Sequence, residues 1–264
     1  MSHASAHPVF ELHRGTAPVL VSLPHNGSDI PADLAARMVE RARLAPDTDW
    51  HVSRLYAFAR ELGASMLVPR YSRYVIDLNR PPDDTSLYPG QNTTGLCPAV
   101  QFTGAPIYLE GQAPSADEIA ARTETYWRPY HDALQAELAR LHAAHGQALL
   151  WEGHSIRGSE LEFLFPGRLP DFNLGTSSGA SCSPQRQARV EAALAAQSRY
   201  DFVVNGRFKG GYITRHYADP ARGIDAIQLE ISQRIYMDED TFAYDETKAA
   251  VAQTVIRSLL EAAS

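Results

Sequence analysis

Short apolar runs alternate with amphipathic segments along most of this chain. Six runs have the length of buried strands: Pro18–Pro24, Ser65–Val68, Tyr74–Leu78, Gln147–Trp151, Asp201–Asn205 and Ala226–Ile231. Continuous apolar runs of this kind are typical of strands covered on both faces. Strands that alternate with helices favour an α/β fold, so we expect a mixed, largely parallel central sheet flanked by helices.

Polar capping signals mark where the predicted helices begin. They stand at Asp49, Ser115, Ser183 and Asp245. The first helix should run to about Leu62. The second begins with a capping box completed by Glu118 and ends near Gly146, and Pro129 should kink it or split it in two.

Two long stretches, 81–114 and 155–183, are rich in Gly, Pro, Ser, Asn and Thr and show no regular pattern. Long irregular loops in a compact protein are usually functional, so we expect them to cover a site. The sequence contains no internal repeat and no segment that resembles an interdomain linker. We therefore expect one domain over residues 1–264.

Composition narrows the class of protein. Of the 264 residues, 44% are hydrophobic and 21% are charged, which is ordinary for a soluble globular protein. The net charge of -7 argues against a nucleic-acid partner. No apolar run approaches the roughly 18 residues that span a bilayer, and the N-terminus lacks the pattern of a signal peptide. We expect a cytoplasmic protein with reduced thiols at Cys97 and Cys182, and the oligomeric state stays open.

Chemically active side chains follow several of the predicted strands. His25 follows the first run, Arg80 follows the third, and His154 follows the fourth, while Glu230 lies inside the last. Ligands of open α/β sheets bind beyond the carboxyl ends of the strands. We therefore expect these side chains to meet at one edge of the sheet.

Two histidines at this edge of the sheet favour a zinc site. Two imidazoles and one carboxylate are a frequent catalytic zinc set, with the fourth position left to water. Asp49 is our candidate for the carboxylate, although it could instead be a plain helix cap. Asp29 and Glu152 are weaker candidates, and His51 could supply a third nitrogen.

Glu230 and Arg80 are candidates for a general base and for a residue that binds a carboxylate. A carboxylate in an apolar strand is costly unless it is paired or used, and burial would raise its pKa, as suits a general base. Its structural alternative is an ion pair with Arg234 or Arg215. Arg80 has the planar fork that binds carboxylates, although a surface ion pair would also explain it.

Seven stretches of the chain together resemble the N-formylglutamate amidohydrolases, also called N-formylglutamate deformylases. They are SLPHNGSDIP (22–31), DTDWHVSRLY (47–56), SRYVIDLNRPPDD (72–84), EGHSIRG (152–158), LPDFNLGTSSGASC (169–182), NGRFKGGYITRHY (205–217) and IQLEISQRIYMDE (227–239). Each is short, but they follow one another in order over nearly the whole chain.

The resemblance implies hydrolysis of N-formyl-L-glutamate to formate and L-glutamate, the last step of a histidine-degradation route. It implies a fold of the zinc carboxypeptidase and aspartoacylase group, a phosphorylase/hydrolase-like architecture. That group holds zinc with a His, a Glu three residues later and a distant His. Here Ser28 stands three residues after His25, so Asp49 is our substitute, with His154 as the distant histidine.

The same resemblance implies roles for the remaining site residues. Asn79 and Arg80 match the pair that binds a substrate carboxylate in aspartoacylase-like enzymes, and Glu230 matches the catalytic glutamate. A small diacid needs a second cation, for which Arg157, Arg215 and Arg207 are candidates. The rival functions are a zinc deacylase for another N-acyl amino acid, such as acetylaspartate or succinylglutamate, or a non-catalytic protein that binds acylated amino acids.

Overall fold

A computed structural model describes residues 8–87, 90, 92–158, 161 and 163–264 of the protein. Residues 1–7, which belong to the segment in which we expect no signal peptide, lie outside these ranges, as do single positions of both long loops. Seven strands form one sheet: β1 (Phe10–His13), β2 (Val19–Ser22), β3 (Ser65–Pro69), β4 (Ala148–Ile156), β5 (Phe172–Gly175), β6 (Phe202–Val204) and β7 (Ile224–Ser232).

The sheet has the order β1-β3-β2-β4-β7-β5-β6. Its four central strands, from β3 to β7, are mutually parallel. At one edge β1 is antiparallel to β3, and toward the other β5 is antiparallel to β7. The expectation of a mixed, largely parallel sheet is confirmed. No helix in the described ranges is long and apolar enough to cross a membrane.

Helices cover both faces of the sheet. They are α1 (Ala32–Ala35), α2 (Glu40–Arg43), α3 (Val52–Leu55), α4 (Ala116–Arg122), α5 (Arg128–His145), α6 (Pro184–Ala196), α7 (Tyr212–Tyr217) and α8 (Glu246–Ala263). Alternate residues of each strand enter different cores. Trp151 packs with α3, α6 and α8 on one face, whereas Leu150 packs with α5 on the other.

Helices begin at three of the four positions predicted from capping signals. Ser115 accepts a hydrogen bond from the backbone of Glu118, Asp245 caps α8, and α6 begins at Pro184 directly after Ser183. The long second helix is interrupted, as expected near Pro129. The interruption is a π-helical turn at Thr123–Trp127.

Several elements differ from the prediction. Tyr74–Leu78 is buried but is not a strand, and β1 and β5 were not expected, so 155–183 is not irregular throughout. Asp49 is not a helix cap, because α3 begins only at Val52, after His51 in the left-handed region (φ 63°). The two cysteines are free thiols.

Candidate active site

Loops that follow the carboxyl ends of β2, β3 and β4 meet over β7 and enclose a cavity of about 90 Å³. The described residues that line it include His25, Asp49, Arg73, Asn79, Arg80, Phe102, His154, Arg207, Gln228 and Glu230. Most belong to segments singled out in the sequence, and Phe102 and Thr94 come from the first long loop. The convergence follows from the parallel strands, whose carboxyl ends share one edge.

His25 is held by a buried ion-pair network. Its Nε2 lies 2.7 Å from Asp77 Oδ1, while Arg73 donates to the other oxygen of Asp77 over 2.6 Å. An ionised carboxylate only accepts, so Nε2 carries the proton, and Nδ1 is the unprotonated nitrogen that accepts from Arg73. That Nδ1 lies 3.9 Å from Asp49 Oδ2 and 3.2 Å from Arg73 Nη1.

His154 repeats this arrangement on β4. Its Nε2 lies 2.7 Å from Glu152 Oε1, and its Nδ1 faces Asp49 Oδ2 at 3.1 Å. Glu152 is fully buried and also accepts from the backbone and the hydroxyl of Thr214 in α7. Metal-binding histidines commonly use their second nitrogen in this way, which fixes the tautomer and the ring orientation.

Asp49 lies between the two imidazoles. Its backbone N–H donates to His25 O at 3.0 Å, and its Oδ2 accepts from the backbone of Ser155 at 3.0 Å. Its Oδ1 is buried and accepts no hydrogen bond from any described residue. One ligand atom from each of His25, Asp49 and His154, here called the metal triad, lies within 4.8 Å of the others. Tetrahedral zinc with bonds of 2.0–2.1 Å needs a separation of about 3.3 Å, so a small inward movement suffices.

The electrostatics of the metal triad also favour a cation. Burial alone would lower the pKa of His154, but Glu152 and Asp49 raise it well above its ordinary value. Burial and the Arg73 guanidinium instead lower the pKa of His25. Positive charge is therefore stabilised at His154, which lies between the carboxylates of Asp49 and Glu152.

Glu230 faces the same space from β7. The register of the two parallel strands places it directly beside His154. Its Oε1 is buried and has no hydrogen-bond partner among the described residues, and Arg234 pairs with Asp171 instead. Burial raises the pKa of Glu230 to about 8, with Asp49 adding to the effect and His154 opposing it. The ion pair with Arg234 or Arg215 that would have explained Glu230 structurally is not observed.

The four arginines proposed for substrate carboxylates separate into two groups. Arg80 and Arg207 line the cavity. Arg80 donates to Thr94 O and Asn79 O. Arg157 instead binds Asp240 and Glu239 O in a neighbouring cavity. Arg215 lies in a third cavity, where its Nε donates to Gly210 O.

The weaker candidates for metal ligands make different contacts. His51 Nε2 is bonded to Phe242 O at 2.8 Å, and Asp29 pairs with Arg70 at the surface. Glu152 supports the ring of His154 from behind. Sequence reasoning missed Arg73, which is buried, stacks on Phe102 at 4.5 Å and lies 3.9 Å from Asp49 Oδ1. Its position before the buried apolar run 74–78 was the available signal.

Asn79 joins the metal triad to α7. Its side chain donates to Glu152 Oε1 and accepts from the backbone of Ile213 at 2.9 Å. The backbone of Gly211 approaches so closely that a Cβ there would lie 2.3 Å from Asn79 Nδ2. Gly211 also donates its N–H to Gln228 Oε1 at 2.7 Å, so a residue with a side chain would disturb both contacts.

Comparison with known proteins places this site in a family. The family model for N-formylglutamate amidohydrolase matches residues 17–237, which include every residue of the metal triad and Glu230. The chain belongs to this family. It is 54% identical to an N-formylglutamate deformylase of Pseudomonas aeruginosa and 52% identical to one of Pseudomonas putida, in each case over 96% of this chain and 95% of the relative.

Two solved structures share the fold of this chain, and one of them is a named member of the family. The crystal structure of an N-formylglutamate amidohydrolase from Ralstonia eutropha JMP134 superposes with a TM-score of 0.82 at 28% identity, covering 96% of both chains. A gene product of Agrobacterium tumefaciens shares the fold, with a TM-score of 0.72 at 19% identity over 97% of this chain and 95% of that one.

Proposed function

We propose that this chain is an N-formylglutamate deformylase, which hydrolyses the formyl amide of N-formyl-L-glutamate to formate and L-glutamate. The two curated relatives carry that name over nearly their whole length. The resemblance noted in the sequence further suggests the last step of a histidine-degradation route. The substrate is a small molecule with two carboxylates, which agrees with a small cavity lined by Arg80 and Arg207.

We also propose that the enzyme depends on a divalent metal, with zinc as the first candidate. The metal triad would hold it through two imidazole nitrogens and one carboxylate, a donor set that suits zinc. The buried Oδ1 of Asp49, which has no hydrogen-bond partner among the described residues, supports this assignment. When bound, the metal would act as a Lewis acid that polarises a carbonyl group and lowers the pKa of water.

Glu230 is the proposed general base. Its buried carboxylate, for which the described part of the chain offers no hydrogen-bond donor, would take a proton from the attacking water and carry it to the amide nitrogen as the carbon–nitrogen bond breaks. The water oxygen then remains in formate, and the nitrogen leaves as the amine of glutamate. The pKa of about 8 describes the protein without a metal, and a nearby cation would shift it toward neutrality.

Arg73 would stabilise negative charge that develops on the formyl oxygen. Its guanidinium lies beside the metal triad, and its Nε has no hydrogen-bond partner among the described residues. A preorganised cation in a buried site lowers a barrier because it needs no reorganisation during the reaction. Arg80 and Arg207 would then hold the two carboxylates of the substrate.

The observation that carries this proposal is the pair of imidazole–carboxylate hydrogen bonds, His25–Asp77 and His154–Glu152, on either side of Asp49. A protein that only binds acylated amino acids has no need to orient two histidines in this way, or to bury a glutamate such as Glu230, which has no partner in the described ranges. The arrangement therefore favours a hydrolase.

The test combines kinetics with elemental analysis. We expect one divalent metal per chain, loss of turnover after chelation and recovery on adding zinc. N-formylglutamine should react about 10- to 150-fold more slowly than N-formylglutamate in kcat/KM, because one of the two half-buried arginines loses its carboxylate. Full turnover without metal would refute the metal site. Equal kcat/KM for both substrates would replace this function with that of a broader deacylase.

A further inference from the structure

The segment from Tyr74 to Arg80 carries part of the active site, yet none of the strands in the described ranges pairs with it. Buried backbone carbonyls nevertheless need hydrogen-bond donors. Three of the donors come from one helical unit, α4, the π-helical turn and α5, and others come from Tyr108, Cys97 and Arg80 itself. Arg122 donates to Val75 O over 3.0 Å, His131 donates to Leu78 O over 2.9 Å, and Trp127 donates to Arg80 O over 3.0 Å.

The π-helical turn brings these three donors to one side of the helix. Arg122 and Trp127 are five residues apart, which in a regular α-helix would put them about 140° apart around the axis. A π turn closes its hydrogen bond over five residues and brings such positions nearly into line. Here the N–H of Arg128 bonds to Thr123 O across the turn. Trp127 and His131 are four residues apart and stack at 3.7 Å.

We propose that Trp127 and His131 form a clamp that positions Asn79 and Arg80 for the substrate. The two rings bind the carbonyl groups on either side of the peptide unit that follows Asn79, namely Leu78 O and Arg80 O. This inference rests on the proposed function, because it takes Arg80 as a ligand of a substrate carboxylate. Neither ring lines the cavity, so both are positioning residues rather than catalytic ones.

The chemistry of His131 suits this role. A carbonyl oxygen only accepts, so Nε2 must carry the proton, and Nδ1 then faces the hydroxyl of Tyr217 at 2.9 Å. Burial lowers the pKa of His131 to about 3, so the ring stays neutral and keeps this tautomer throughout the working range. Trp127 offers one donor, which is already used for Arg80 O.

The clamp acts on residues that are held tightly on their other side. The Asn79 N–H bonds to Asp77 Oδ1 at 2.8 Å, and the Asn79 side chain reaches Glu152. Arg80 Nε reaches Thr94 O at 2.8 Å. Loss of one carbonyl contact should therefore tilt the 79–80 peptide unit rather than unfold the protein, and misplacement of about 1 Å can be costly for turnover.

The first experiment measures the clamp itself, without reference to turnover. Trp127→Phe removes the indole N–H and keeps an aromatic ring for stacking. We expect the amides of residues 79 and 80 to exchange hydrogen about tenfold faster, with exchange elsewhere unchanged. Tyr130→Phe is the matched control, because it deletes a buried hydrogen bond of the same helix, to Ser22. Unchanged exchange at 79 and 80 in Trp127→Phe would overturn the clamp.

The second experiment tests whether the clamp acts through Arg80. We expect Trp127→Phe to lower kcat/KM for N-formylglutamate about tenfold, and to have no further effect in an Arg80→Ala background. His131→Gln, which keeps a donor near the position of Nε2, should retain more activity than His131→Leu. Additive losses in the double variant would show that Trp127 has a general structural role. If the wild-type enzyme does not hydrolyse N-formylglutamate, the proposed function is wrong. The hydrogen-exchange experiment then still tests whether the clamp exists.

Discussion

His25 and His154 each give one ring nitrogen to a buried carboxylate and turn the other toward Asp49. The carboxylates, Asp77 and Glu152, thus decide which nitrogen is available. Each imidazole would otherwise choose between two tautomers, and only one of them leaves Nδ1 free to bind a metal. At the scale of single residues, the supporting groups are therefore as informative as the metal triad itself.

Asp77→Asn should weaken metal binding and leave the fold intact. The amide can offer N–H₂ to His25 Nε2, which would favour the tautomer with its proton on Nδ1. Changes to such supporting groups typically cost about 10- to 100-fold in metal affinity. Competition with a chromogenic chelator would measure the loss. Asp225→Asn is a suitable control, since Asp225 is an equally buried carboxylate that pairs with Arg186 away from the cavity; an equal loss of affinity in both variants would contradict the prediction.

Glu230→Gln should keep its metal and lose about 10²–10⁴ in kcat, because the amide preserves the shape of the side chain but cannot accept a proton. Glu137→Gln provides the comparison, as Glu137 is also buried but bonds to Ser65 and Arg140 at the other end of the sheet. Steady-state kinetics and metal analysis of both variants would suffice. A near-normal kcat for Glu230→Gln would return this residue to a structural role.

Sequence position was sufficient to nominate His25, His154 and Glu230, because a polar residue at the end of an apolar run, or within one, is conspicuous. Asp77 and Arg73 were not assigned roles. The role of a buried charged residue can be inferred only when its partner is known. Tertiary folding brings His25 and Arg73 to Asp77, so these partners could not be identified from the sequence. Arg157 and Arg215 could not be separated from Arg207 for the same reason.

At the scale of elements, the segment Tyr74–Leu78 shows what the hydrophobic pattern cannot predict. Its apolar run is buried as expected, but periodicity does not distinguish a strand from another buried conformation. Two of the donors to its carbonyls, Arg122 and His131, lie on helices about fifty residues further along the chain. In contrast, capping signals depend on adjacent residues, and those at Ser115, Ser183 and Asp245 predicted the starts of their helices correctly.

Gly211, at the start of α7, should tolerate no side chain. Its φ of -82° is open to any residue, so the constraint is steric contact with Asn79 rather than backbone strain. We expect Gly211→Ala to displace Asn79 and to lower kcat/KM about 100-fold, at a modest loss of stability. Gly111→Ala should give the opposite pattern, because that glycine has open space around it and a φ of +71°. Kinetics and thermal unfolding of both would check this, and normal turnover in Gly211→Ala would contradict it.

At the scale of the whole molecule, buried neutral His131 links stability to pH. Its folded pKa of about 3 lies below the unfolded value of 6.5, so between these values the unfolded chain binds a proton that the folded chain does not. The stability from this group is thus present above pH 6.5 and is lost as pH falls toward 3, at up to about 1.4 kcal/mol per pH unit.

We therefore expect His131→Gln to flatten the pH dependence of unfolding. The variant should be less stable than the wild type at pH 7.5, where it loses a well-fitted ring, and the difference should shrink by pH 4.5. Denaturant unfolding of metal-free protein at the two pH values measures this, with the unsubstituted chain as reference. A constant difference between the two proteins would show that His131 does not contribute to acid sensitivity.

The metal triad draws its members from the loop after β2, the turn before α3 and strand β4, so its first and last residues are separated by about half the chain. Such a site cannot exist until the centre of the sheet has assembled. A bound ion should therefore stabilise the native state but not the transition state for folding. It should slow unfolding without accelerating folding. In stopped-flow measurements, zinc should lower the unfolding rate and leave the refolding rate unchanged, and faster refolding with zinc would mean that the ligands meet early.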